Sequence, residues 1–104
     1  MHYILDDDNH VIRCQNRVRW SEFMAETDRR VVAQTGNADL LVSTVFLGLD
    51  HNFGGRGRPL LFETMTNDRM VERYATWEEA EAGHKRAVEE AFGPAMAVRA
   101  PGKP

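Results

Sequence analysis

Two apolar runs stand out along the chain, residues 42–49 and 60–65, with a loop of glycines and arginines between them. Each is rich in β-branched and aromatic side chains and bounded by turn residues. That pattern predicts an antiparallel pair of strands, one over 40–50 and one from about Pro59 onward. Pro59 suits a strand start, where no ladder donor is yet needed. Residues 2–5 and 10–14 are shorter β-prone runs around Asp6, Asp7, Asp8 and Asn9, whose side chains favour turns by bonding nearby amides. They predict an N-terminal hairpin. Residues 30–35 and 70–75 supply two further strands beside the turn segments 36–39 and 66–68.

The period becomes helical twice. Trp20, Phe23, Met24 and Thr27 recur at i, i+3, i+4 and i+7, which lays a mostly apolar stripe along a short helix over 20–27, with Ser21 as its candidate cap. Thr76 and Glu79 form a capping box at the start of a second helix. Trp77, Ala80, Ala87, Val88 and Ala91 line one side of it, with His84 in their midst, and Gly93 and Pro94 end it. The expected architecture is a single α+β domain over 1–94. It is an antiparallel meander of about four strands plus the N-terminal hairpin, with the short helix and a C-terminal helix packed on one face. Residues 95–104 hold two prolines and little to pack with, and are expected to form a flexible tail.

If the central pair closes with Asp50 opposite Pro59, one face carries Val45, Leu47, Leu49, Leu60 and Phe62, with Ser43 and Thr64 at its margin. That is the expected core face, and the alanines of the C-terminal helix let it approach closely. The other face would carry Thr44, Phe46, Gly48, Asp50, Leu61, Glu63 and Met65, a mixture that is neither clean core nor clean solvent surface. The Trp20 helix or a second copy of the chain would cover it. A symmetric homodimer would bury Phe46, Leu61 and Met65 together.

Composition narrows the function classes. A chain of 104 residues makes one domain, which buries roughly 65% of its unfolded surface and needs no disulfide or metal to fold. The net charge of -3, from 13 basic and 16 acidic residues, provides no global field for nucleic acid or an anionic membrane. Cys14 is the single cysteine, so no intrachain disulfide forms, and no run approaches the ~20 apolar residues of a membrane span. A cytoplasmic protein without a membrane partner is expected.

Among polar residues, Glu63 is the most suspicious, because a carboxylate inside an apolar strand must be paired, protonated or exposed. An ion pair with an arginine such as Arg73 accounts for it most simply. The sharper alternative is a shallow ligand site or small enzyme site of Glu63 with Thr44, Asp50, His51 and His84. His84 itself fits a satisfied core histidine bonded to Ser43, Thr64 or a carbonyl. The acidic tip at Asp6, Asp7 and Asp8 lacks the other ligands of a calcium loop and reads as a solvated turn. A metal set of His51, Glu63 and His84 lacks any short ligand pair, so no metal or cofactor is expected. Ser43 and Cys14 have no context that would activate a nucleophile, so no catalytic residue is assigned. The loop offers Phe53, Arg56 and Arg58 as a candidate contact for an acidic protein surface or, more weakly, for nucleic acid.

These residues carry a resemblance. Arg29, Arg30 and Val31, then VSTVFLGLDH at 42–51, LFETM at 61–65 and RYATWEEAEAGH at 73–84 are similar to a family of short proteins found mainly in tailed bacteriophages and prophages. The likeness spans roughly residues 20–90. In that family a hydrophobic strand often continues after ETM, whereas here Thr66, Asn67 and Asp68 intervene, so the next strand is expected to be shorter. The resemblance implies a role inside an infected bacterium and brings no activity or catalytic residue with it. The leading expectation is a non-enzymatic accessory protein that binds a host or phage protein through Phe46, Leu61, Glu63 and Met65 or through Phe53, Arg56 and Arg58.

Overall fold

Residues 1–93 are described by the computed structural model, and the tail expected over 95–104 lies outside them. Among the described residues nine elements follow one another: β1 (Tyr3–Leu5), β2 (Val11–Arg13), α1 (Arg17–Ala25), α2 (Thr27–Arg30), β3 (Val31–Gly36), β4 (Leu41–Phe46), β5 (Phe62–Thr66), β6 (Arg69–Tyr74) and α3 (Trp77–Phe92). β1 and β2 form the N-terminal hairpin, and β3 to β6 form an antiparallel meander in sequence order. The α+β class, the hairpin, the four-strand meander, one short helix and the C-terminal helix are those the sequence predicts, and α2 is an additional turn of helix.

Local chemistry explains the helix ends. Asn16, not Ser21, caps α1 by accepting a hydrogen bond from the Arg19 amide at 3.0 Å, so the helix begins three residues before Trp20. The apolar stripe hides that first turn because Arg17, Val18 and Arg19 all face solvent. α3 opens on the full capping box: Thr76 accepts from the Glu79 amide, and Glu79 accepts from the Thr76 amide. Arg29 and Arg30 are staples. Arg29 donates to the Asp6 carbonyl at 2.8 Å and lies over the Phe23 ring, while Arg30 donates to the carbonyls of Phe46 and Met24.

The register of the central pair differs from the expected one by a single residue. Phe46 stands opposite Phe62, Thr44 opposite Thr64 and Val45 opposite Glu63. Because side chains alternate, a one-residue slip exchanges the faces of one strand relative to the other. Val42, Thr44 and Phe46 therefore share the buried face with Phe62 and Thr64, and α3 packs across all four strands on that side. Val45, Leu47 and Leu60, expected in the core, are half-buried, and Leu49 is exposed. Phe46 and Leu61, expected on a partner surface, are core residues.

The cause lies just past β4. Gly48 takes a positive φ of 76°, and its carbonyl accepts from the Tyr3 amide at 2.9 Å and the Trp20 indole at 3.1 Å. Leu49 then bridges to His2 of the N-terminal segment. The chain thus leaves the ladder earlier than an uninterrupted strand to Asp50 would. Leu61 is buried in the cluster built by Ile4, Leu5, Cys14, Phe23, Phe46, Phe62 and Tyr74. Aromatic edges knit this core: Phe23 meets Phe46 at 5.9 Å, Phe46 meets Phe62 at 5.2 Å, and Phe62 meets Trp77 at 6.2 Å.

Candidate functional site

Three places gather the polar side chains singled out above. The first is a buried chain of hydrogen bonds between α3 and the sheet. His84, 1% exposed, reaches Thr35 Oγ1 through Nε2 at 2.9 Å and Thr44 Oγ1 through Nδ1 at 2.8 Å. Thr44 Oγ1 lies 2.5 Å from Thr64 Oγ1, which accepts from the Tyr74 hydroxyl at 3.0 Å. Gly83 makes room for this, because a Cβ there would collide with the Tyr74 ring. Burial pushes the His84 imidazole below its ordinary value and the Tyr74 phenol above its own, so both groups are held neutral. His84 is thus a satisfied core histidine, bonded to Thr35 and Thr44 directly and to Thr64 only through Thr44.

The second place is the opposite side of the sheet. Cross-strand partners put Val31, Gln34, Ser43, Val45, Glu63, Met65, Met70 and Arg73 on it. Arg73 Nε donates to Glu63 Oε2 at 2.9 Å, which resolves the carboxylate inside the apolar strand as an ion pair. Gln34 donates to Ser43 Oγ at 3.2 Å. Val45 and Met65 are half-buried, and Met70 is 47% exposed. Both outer strands are irregular: the register shifts between Val31 and Ala33 on β3 and opposite Thr64 and Met65 on β6. Such bulges bend an edge away from pairing with another strand.

The third place is the loop that joins β4 to β5. Asp50 Oδ1 accepts from the amides of Asn52 at 2.7 Å and Leu60 at 2.9 Å, closing the neck of the loop. Those two amides, Asn52 first, hold the Asp50 carboxyl below the usual carboxylate range. The Asn52 side-chain amide donates to the carbonyls of Arg56 and Arg58. Asp50 therefore serves as a loop pin. Phe53, 81% exposed, sits 5.4 Å from the His51 ring and 6.0 Å from the Arg73 guanidinium. Arg58 is paired with Glu79 at 2.8 Å.

The ligand set of Thr44, Asp50, His51, Glu63 and His84 does not assemble. Thr44 and His84 meet on the α3 side of the sheet, Glu63 projects from the other side, and Asp50 and His51 belong to the loop neck. The same separation disperses His51, Glu63 and His84 as metal ligands. Asp6, Asp8 and His10 do bring donor atoms within 4.8 Å of one another at the hairpin tip. Asp6 Oδ1 is occupied there, accepting from the amides of Asp8 and His10 at 2.9 Å each, and the His10 amide is the main cause of its lowered pKa. Thr35, Tyr74 and Gly83 escaped the sequence reading. The available signal was His84 on an apolar stripe, which demands polar partners on whatever it packs against.

Among the described residues no helix is long and apolar enough to cross a membrane. Comparison with protein-family models, with curated proteins and with solved structures finds no match to the chain.

Proposed function

We propose that the chain is a non-enzymatic accessory protein that works by binding a protein partner through the open face of its sheet. One observation carries this reading: α3 covers one side of the meander, while the other presents Val45, Met65 and Met70 beside the Glu63–Arg73 pair. Apolar side chains grouped on an exposed sheet face favour docking, and the bulged edges favour a face-to-face mode over strand addition. A second copy of the chain is one such partner, because a two-fold contact of like faces would cover the half-buried Val45 and Met65 of both protomers without leaving the internally paired Glu63 and Arg73 uncompensated. The pinned loop adds Phe53 and Arg56 as a smaller, preorganised contact. Nucleic acid fits this loop less well, since carboxylates already neutralise Arg58 and Arg73. The resemblance to phage and prophage proteins supports placing the role in the cytoplasm of a bacterial host.

Sedimentation equilibrium over a wide concentration range tests the homodimer, with Met65→Lys as control. Expected is a mass that rises with concentration in wild type and stays monomeric in Met65→Lys. A wild type that remains monomeric removes the second copy as occupant. Capture from bacterial lysate with the same two proteins then tests a different partner, and identical capture profiles would overturn the open face as the working surface.

A further inference from the structure

We propose that the hydrogen-bonded chain joining α3 to the sheet is an acid-sensitive latch, closed by a neutral His84 and released when that imidazole must take up a proton. Tyr74 donates to Thr64 Oγ1; with that bond fixed, the order that uses every proton between the ends has Thr64 donating to Thr44, Thr44 to His84 Nδ1, and a His84 Nε2–H to Thr35 across the three remaining contacts. In this order Thr64, Thr44 and His84 each accept one hydrogen bond and donate the next. An imidazolium carries protons on both nitrogens, so Nδ1 would donate to Thr44 and Thr44 would turn its own proton to Thr64. Thr64 already accepts from Tyr74, so its hydroxyl proton would find an acceptor only if Tyr74 gave up that bond and turned its own proton to Glu72.

Among the described residues no carboxylate faces His84 to offset the charge. The side chains meeting it are Thr35 from β3 and Thr44 from β4, with Thr64 from β5 and Tyr74 from β6 completing the chain. Its buried neighbours on α3 are apolar: Ala80, Gly83, Ala87 and Val88. Glu81 and Lys85 on α3 face solvent, and Glu72 of β6, exposed and paired with Arg86 at 2.9 Å, acts on Tyr74 at the far end of the chain and not on His84. Tyr74 stays protonated throughout the acid range, since burial raises its phenol.

Burial lowers the folded-state value of His84 from 6.5, so below about that pH the unfolded chain binds more protons than the folded one. The latch therefore contributes its full stability above that value and loses it progressively as the pH falls towards the lowered folded value. The folding constant should fall by up to about tenfold per pH unit in that window on account of this one group.

Imidazole 15N shifts and amide exchange of α3, followed in wild-type protein from about pH 7.5 to about pH 5, bracket an ordinary imidazole. Expected is a neutral Nε2–H tautomer in the folded form, with α3 amides losing protection as the pH falls, after correction for intrinsic exchange. In His84→Gln the matching component of the stability slope should vanish. Titration of folded His84 near its ordinary value with α3 protection unchanged would overturn the latch. So would an undiminished slope in His84→Gln. Should that variant fail to fold, the wild-type 15N titration decides alone.

Discussion

Both faces of the meander carry polar side chains, and they treat them in opposite ways. On the α3 face Thr35, Thr44 and Thr64 are buried and tied together through His84 and Tyr74. On the open face Glu63 is neutralised by its cross-strand neighbour Arg73, and Ser43 and Gln34 bond each other at the surface. A strand residue's polarity thus does not reveal which way it points. What decides is whether the covering element brings a partner, since a buried hydroxyl left unpaired costs roughly 1–3 kcal/mol. Here His84 partners Thr35 and Thr44, and Tyr74 with Thr44 partners Thr64, so all three threonines serve as core residues.

Substitutions on adjacent or opposed positions sharpen this contrast. The largest difference is expected between Phe46→Ala and Met65→Ala: about 3–5 kcal/mol for the first, which empties the aromatic core, and under about 1 kcal/mol for the half-buried methionine. Urea unfolding of the two variants measures it, and comparable losses would erase the distinction between the faces. Next comes Thr44→Val, which keeps the shape but leaves His84 Nδ1 unpaired, at about 1–3 kcal/mol. Its neighbour Ser43→Ala should stay within about 0.5 kcal/mol. The smallest effect is that of Glu63→Gln. The pair is partly solvated and its loss leaves Arg73 access to water, so about 1 kcal/mol or less is expected in the same assay, with little change in α3 protection.

The sequence carried the order and type of the elements far better than their facing. Thr76, Glu79 and Gly93 mark α3 because caps act locally and leave a signature in neighbouring residues. The turn residues between the strands are equally local. The register was not legible for a specific reason. Leu47 and Leu49 look like continuations of β4 and add apolar weight to the Val45 side, but the ladder ends where the Leu47 amide donates to the Leu61 carbonyl, and Gly48 with the bridge to His2 takes Leu49 out of it. Without that long-range contact, counting apolar residues selects the wrong face. Phe46 and Leu61 were consequently expected on the surface, while Glu63 and Met65 do lie on the open side. The roles of Thr35 and Tyr74 are not legible in the sequence because the bonds that define them run to other strands and to α3.

The most direct test of the facing is thiol labelling at two adjacent positions, Ser43→Cys and Thr44→Cys, in folded protein, with peptide mass separating the new site from buried Cys14. The account expects Ser43→Cys to react readily and Thr44→Cys to react only at the rate of unfolding. Ready labelling of Thr44→Cys with protection of Ser43→Cys would contradict it, because it would put Thr44 and Phe46 back on the surface and remove the partners of His84.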